Sequence, residues 1–473
     1  MRVLFLPLLL LAFGSAAAQE TPTQRTAAAE VLARLEALQT RIDAAGLARR
    51  LTTARSATRD AVVERARELW VAELQAMSDT ITRDPEIGFQ EQRAVERLVG
   101  WLRAHDFEVT VGVAGLPTAF RATYRRGTPG PHLGVIVEYD ALRGTVRDYH
   151  GDQHSAQGPI GLAAAVAVAE FLTQTGTPGT VTVVGTPAEE MMPPPSKTLM
   201  HERGVFAGLD IAVRSHSSTD TQRPAPGFGS CCLNIDGVKY VFSGAPAHQM
   251  MPWEGRDALS AVVRFFTNVD GIRKNIRPEA RIQGIITEGG KAPNVVPDRA
   301  VADFYIRYPD EVYLAQVRQM VDDAARAAAL ATGTQVRIEP YGSMRDGISV
   351  GALNEVAFAY LRRYGATRVQ TIPQKPQGWE ETGSVSRDLP GVGFSAYTSS
   401  GGFHTYEMEA DALTEIGHTG FRLDAMAMAA LLHDFATDAG FRAKVREEFT
   451  TTRALFSEYL TALRSAYPVP VVR

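Results

Sequence analysis

Cysteine is almost absent from this chain: 473 residues contain only Cys231 and Cys232, adjacent to each other. That spacing strongly disfavours an ordinary disulfide between them, and no third cysteine offers a partner, so a disulfide framework and a thiolate-rich zinc site are excluded. Both read as small apolar strand residues. Excess charge of one sign is missing too. Lys+Arg total 49 against Asp+Glu 53, a formal net charge of -4, which leaves no basic field to hold nucleic acid or an anionic membrane. A small-molecule or peptide substrate is the expected partner. No run reaches the roughly 18 uninterrupted apolar residues that a membrane helix needs. Signatures of several other chemistries are also lacking: no phosphate-binding P-loop, no strand-linked Gly-x-Gly-x-x-Gly, no Gly-x-Ser-x-Gly elbow and no His-Glu-x-x-His helix.

What is present, 45% apolar and 22% charged residues with 41 glycines, is the composition of an ordinary globular protein. Arg2 precedes the apolar run Val3 to Phe13, and Gly14-Ser15-Ala16-Ala17-Ala18 follows. This pattern predicts a cleavable signal peptide over residues 1–18 and a periplasmic or secreted protein, with no cysteine to carry a lipid anchor. Residues 19–80 have helical spacing without evident chemistry. From about Glu91 helical and strand-like runs alternate, and Leu133-Gly134-Val135-Ile136-Val137, Val181 to Val184 and Ile211-Ala212-Val213 read as strands buried on both faces. The expected fold is α/β: a mostly parallel sheet with helices on both faces. Over 228–343 the order becomes strand, helix, strand, strand, helix, strand, with Val317, Met320, Val321, Ala324 and Ala328 marking the second helix. That order predicts an inserted ferredoxin-like α+β module. The larger domain is then discontinuous, 19–227 and 344–473, with a strand near 391–397 and long helices near 419–438 and 440–463.

Acidic residues and several of the ten histidines fall where predicted strands end, the place where ligands meet in open α/β sheets. Glu189 and Glu190 follow the strand 181–184. Adjacent carboxylates there are costly without a cation, and a metal resolves the cost: one carboxylate binds the ion while the other takes a proton from water. His216 follows the next buried strand. Upstream, Glu138-Tyr139-Asp140-Ala141-Leu142 leads to His150-Gly151-Asp152-Gln153-His154, in which Asp152 and His154 have the spacing by which a loop aims two side chains at one ion. His404 follows the late strand and is a candidate final ligand. Taken singly, each has a bland alternative: two glutamates also suit a helix N-terminus, and the loop could be a turn tied by Asx hydrogen bonds. His248 lies in the inserted module as a lid residue. His105, His132, His201, His418 and His433 read as structural or surface histidines. Carboxylates and imidazoles without thiolates suit Zn²⁺, Mn²⁺ or Co²⁺.

These elements resemble peptidase family M-twenty, the dinuclear-zinc amidohydrolases and exopeptidases that include aminoacylases, hippurate hydrolases and aminobenzoyl-glutamate hydrolase subunits. The resemblance spans about residues 70–450. It is carried in order by Pro85-Glu86-Ile87-Gly88-Phe89 with Glu91, Glu138 to Leu142, Thr186-Pro187-Ala188-Glu189-Glu190, His216, Ala247-His248 with Pro252-Trp253-Glu254-Gly255, Asn294-Val295-Val296-Pro297-Asp298, and His404-Thr405. It implies a dinuclear metal site, with Glu189 as general base for attack of metal-bound water on an amide. Glu190, His216 and His404 would be ligands, and His248 and Asn294 lid residues that polarise the substrate carbonyl, often across a homodimer interface formed by the inserted domain. The hippurate-hydrolase branch has Cys-Gly-His where this chain has a different loop. Matching the spacing puts Asp152 and His154 at those ligand positions; aligning on the following helix would put Ser155 and Gln157 there. The expected substrate is an N-acyl amino acid or dipeptide-like amide, with Arg307 and Trp379 as candidate contacts. The alternatives are an inactive binding protein or partner subunit of the same fold, and an exopeptidase acting on longer peptides.

Overall fold

The computed structural model describes residues 22–191, 194–229 and 233–467. The expected signal segment 1–18 and the strand expected at Cys231 and Cys232 lie outside the described residues. The three apolar runs form the centre of a six-stranded sheet, in the order Glu108–Val111, Phe120–Arg126, Gly179–Gly185, His132–Val137, Ile211–Ser215 and Gly391–Phe394. The last four are parallel, and the first two join antiparallel at one edge. Register places Val135 beside both Val183 and Val213, a row of branched side chains on one face. Ile136, Val184 and Ala212 bury into a separate apolar cluster on the other face, with Met200, Phe206 and Trp379. Burial on both faces is why these strands read as continuous apolar runs and not as alternations.

The helix His154–Thr175 covers the first face and is buried along nearly its whole length. Among the described residues it alone is long and apolar enough to cross a membrane, yet it is buried inside the protein. It starts earlier than its apolar pattern suggests, because Gln153 at φ 55° turns the chain sharply into it. The helices Ala57–Leu69 and Glu415–Thr437 pack against it, and the buried Arg59–Asp434 pair at 3.4 Å joins these two to each other. Two further N-terminal helices, Ala29–Ile42 and Ala44–Thr53, pack on Ala439–Ala466 and Gly351–Arg363 respectively.

A second, wholly antiparallel sheet has the order Gln335–Met344, Asn234–Ser243, Arg299–Tyr308 and Arg281–Glu288. The helices Ala258–Ile272 and Glu311–Thr332 pack against it and each other, through Phe265 on Tyr240 and Phe304 among others. This is the expected strand-helix-strand-strand-helix-strand order. The edge strand Arg281–Glu288 leaves Ile285 and Ile286 exposed, and the helix beside it exposes Val263.

Asp424, fully buried in Glu415–Thr437, ties two parallel strands together where they end. It accepts hydrogen bonds from Ser215 Oγ at 2.5 Å and from the Ala396 N–H at 3.0 Å. Burial pushes its carboxyl up to about 7, whereas an unfolded Asp titrates near 4. The native state therefore holds the extra proton between these values, and ionising Asp424 progressively costs stability as pH rises from about 4 to about 7. Thermal unfolding at pH 5 and pH 8 should show a smaller pH-dependent loss of Tm for Asp424→Asn than for the parent. An equal loss in both would show that Asp424 does not titrate in this window.

Candidate functional site

The carboxyl ends of the parallel strands open into one crevice. His132–Val137 leads into Glu138 and Asp140, Gly179–Gly185 into Glu189 and Glu190, and Ile211–Ser215 into His216. Three non-glycine residues in the surrounding loops have left-handed backbone: Gln153 (φ 55°), Ala188 (φ 58°) and His404 (φ 60°). Such strain persists only where neighbours hold it, and each of these residues belongs to the cluster or immediately precedes a member of it. Ala188 donates its N–H to Glu91 Oε1 at 2.8 Å, and Glu91 is fixed in turn by Thr118. Gly88 permits the approach, since a Cβ there would lie 2.7 Å from that of Ala188. Gln153 donates from Nε2 to the Met408 carbonyl at 2.7 Å, and the His404 N–H donates to the Gly151 carbonyl at 3.0 Å.

His154, fully buried, is the centre of the cluster. Its Nδ1 meets Asp140 Oδ1 at 3.1 Å, while Asp140 Oδ2 accepts the Glu190 N–H at 2.8 Å. One carboxylate thus orients two neighbours and turns His154 Nε2 toward the crevice. Asp152 Oδ2 lies 3.1 Å from His404 Nε2, which is 3.8 Å from Glu190 Oε2. The His154 and His216 rings are 5.5 Å apart. Donor atoms of Asp152, His154 and Glu190 all fall within 4.8 Å of one another. Asp152 thus has donor atoms of His154, Glu190 and His404 close by, and His216 adjoins this group through His154.

The electrostatics call for cations. Burial, with Glu381 and Glu138 nearby, pushes the Glu189 carboxyl well up. Burial also raises Glu190, opposed by His154 and reinforced by Glu189, Asp152 and Asp140. Burial opposes ionisation of Asp152 as well, yet His404, His216 and His154 hold its carboxyl below the ordinary value. His154 Nε2 and Asp152 Oδ1 are buried without a hydrogen-bond partner. Unpaired buried donors and crowded carboxylates of this kind fit divalent ions with oxygen and nitrogen ligands. Glu138 also lies within reach of His154 and His216, but its carboxylate is already committed to Lys197, to Arg214 at 3.1 Å and to Gln157 at 2.7 Å. Lys197 and Arg214 each bond Glu381 as well. Two cations and two carboxylates so form a closed, neutral quartet behind Glu189.

Six of the residues singled out by the sequence share this crevice: Asp152, His154, Glu189, Glu190, His216 and His404. Ser155 and Gln157, the other alignment, are turned elsewhere, Ser155 to Thr82 at 2.7 Å and Gln157 to Glu138. His150 is buried and neutral, its pKa pushed down to about 3 by burial and by His154. His248 and Asn294 stand on exposed loops of the second sheet's module, next to each other through the Gln249 N–H on the Asn294 carbonyl at 3.2 Å. Among the described residues of one chain, no hydrogen bond or ion pair joins either to the cluster. Arg307, on the module strand Arg299–Tyr308, is close enough to act on the charge of His404. The histidines set aside as structural have ordinary partners, such as His418 on Asp79 at 2.8 Å and His433 on Asp434 at 3.0 Å. Sequence reasoning missed Asp140 as the orienting carboxylate and missed Lys197, Arg214 and Glu381. Arg214 left one signal, a lone charge inside the apolar strand Ile211–Ser215.

Residues 232–332 match the family model described as a peptidase dimerisation domain. The chain is 32% identical to human Xaa-Arg dipeptidase over 339 residues, 67% of this chain and 75% of that protein. It belongs to peptidase family M-twenty. It is also 33% identical to one of the subunits of p-aminobenzoyl-glutamate hydrolase from Escherichia coli, over 55% of this chain and 56% of that protein. The fold superimposes on the YXEP protein of Bacillus subtilis, described as a dinuclear metal binding peptidase of the same family, with a TM-score of 0.52 and 19% identity, covering 78% of this chain and 99% of that one. As an M-twenty member the chain is an enzyme, a metal-dependent hydrolase of amide bonds. The alternative of an inactive binding protein or partner subunit is set aside by the relatives, which are named as a dipeptidase and a hydrolase.

Elemental mass spectrometry of the purified protein should find about two divalent ions per chain, and fewer in Asp152→Ala, because this carboxylate lies beside the donor atoms of His154, Glu190 and His404. Unchanged metal content in the variant would remove Asp152 from the ligand set.

Proposed function

We propose that this M-twenty enzyme hydrolyses the amide bond of an N-acyl amino acid or a dipeptide, with Glu189 as general base. The observation that carries the reading is the placement of Glu189. It is buried beside the donor cluster, 3.9 Å from His154, and its carboxylate has no hydrogen-bond partner among the described residues. Its raised proton affinity suits a group that must take a proton and later return it. Asp152, His154, Glu190, His216 and His404 would hold two divalent ions, zinc in the first instance, with manganese or cobalt as alternatives. Such ions supply Lewis acidity, which polarises the scissile carbonyl and acidifies water. Glu189 removes the proton of the attacking water and delivers it to the departing amine. Asp140 keeps His154 in one orientation throughout.

Similarity to proteins named a dipeptidase and an aminobenzoyl-glutamate hydrolase supports a substrate with a single amino acid on one side of the amide. The dimerisation-domain match and the exposed Val263, Ile285 and Ile286 support a homodimer. In that assembly His248 and Asn294 would reach the partner subunit's crevice and donate hydrogen bonds to the developing oxyanion. The Arg2-led apolar run and the small residues 14–18 support export to the periplasm or beyond.

Glu189→Gln should lower kcat on N-acyl amino acids by about a hundredfold to ten-thousandfold, since the amide cannot accept the proton. Its metal content by elemental mass spectrometry should match the parent. Full turnover in the variant would defeat the role assigned to Glu189.

A further inference from the structure

A cleft of about 330 Å³ adjoins the ligand cluster, bounded on that side by Asp152, His216 and His404. At this size it admits a single ring or branched side chain, since pockets for small ligands begin near 300 Å³. Its floor is the pair of strands Ile211–Ser215 and Gly391–Phe394. Gly393 is paired with Arg214, so the two positions face the same side of the sheet, and both line the cleft. A Cβ built on Gly393 meets no atom within 4 Å, whereas one on Gly391, two residues earlier on the same face, would lie 2.4 Å from the Trp379 ring. One glycine therefore seats Trp379 as a wall of the cleft. The other leaves the floor open, although its φ is not one that requires glycine.

The cleft has no spare charge to offer a guest away from the ligands. Arg214 and Glu381 both line it, but they are bonded to each other and to Glu138 and Lys197 in the neutral quartet. The other polar side chains there, among them Gln222, Asn354 and Gln377, are uncharged. A charged substrate group would lose its water without gaining a counter-ion. Resting on the amide-hydrolase reading above, we infer that this cleft receives a bulky uncharged group, aromatic or branched aliphatic, on one side of the scissile amide, and that Gly393 sets its depth.

The test is kcat/KM of the metal-loaded full chain on two matched substrate series. One varies the acyl group, acetyl against benzoyl, on a common amino acid; the other varies the amino acid, Ala, Phe, Met, Lys, Gln and Glu, under a common acyl group. In one series the parent should prefer the large neutral member, and Met and Gln in the second series should exceed Lys and Glu if the amino acid is the half that enters. Gly393→Leu should lower the large-to-small ratio in that same series by about tenfold or more, the scale set by one or two methylenes in a tight pocket, with Gly393→Ala between. Circular dichroism and unfolding midpoints of both variants establish that they fold. Equal losses on large and small members in both series would overturn the inference, as would a parent that prefers acetyl over benzoyl in the first series and the charged amino acids in the second. If the parent hydrolyses nothing, the amide-hydrolase reading fails by itself, and thermal shift with the uncleaved N-benzoyl compounds decides the cleft. A shift abolished by Gly393→Leu retains the assignment, and no shift in the parent removes it.

Discussion

Among the described residues, Glu138, Asp140, Asp152, Glu189, Glu190 and Glu381 crowd together beyond the ends of the parallel strands, and Lys197 and Arg214 are buried with them. Glu138 and Glu381 are neutralised by Lys197 and Arg214. Asp140 is balanced by His154, whose imidazole is pushed well toward the charged form by Asp140, Glu138 and Glu190 against the cost of burial. Asp152, Glu189 and Glu190 remain, faced by the imidazoles of His154, His216 and His404. Burial and mutual repulsion push Glu189 and Glu190 toward their protonated forms, while the three histidines favour the ionised form of Asp152. Bound divalent ions remove that conflict. The architecture of the crevice follows from this imbalance, since each loop must bring a carboxylate or imidazole to the same place.

Holding those loops requires groups that never touch the reaction. Glu91 sits far from Glu189 in sequence, yet its carboxylate holds the Ala188 N–H in the left-handed turn that aims Glu189. Burial first, and the nearby Asp140 next, raise the Glu91 carboxyl to about 7. Asp424 does comparable work from the opposite face, fixing Ser215 just before His216 and Ala396 just after the last strand. Gly88 and Gly391 contribute only by lacking a side chain where another residue must come close.

This division explains what the sequence made legible. Glu189, Glu190 and His216 were readable because each stands just beyond an apolar run, and strand ends are where an open parallel sheet gathers ligands. Asp152 and His154 were ambiguous against Ser155 and Gln157, because the long loop after Leu142 has no periodicity to count through and His154 already belongs to the following helix. Lys197 and Glu381 were not readable at all. Their meaning is a mutual contact across 184 positions, and neither has a local pattern that distinguishes it from a surface charge. His248 and Asn294 were found by motif, but among the described residues of one chain no hydrogen bond or ion pair joins them to the crevice, so the role proposed for them calls for a second subunit.

The neutral quartet also connects substrate choice to chemistry. Arg214 and Glu381 form part of the cleft wall, and the same four charges set the surroundings of Glu189. Replacing either residue to suit a charged substrate would therefore disturb Glu189, the proposed general base, and breaking one partner would leave buried charges unmatched. Positions such as Gly393, Gln222 and Asn354 carry no such charge. The cleft can be reshaped through them while the electrostatics around Glu189 stay balanced, which places the freedom to change substrate on the uncharged residues and leaves the charged quartet to hold the surroundings of Glu189.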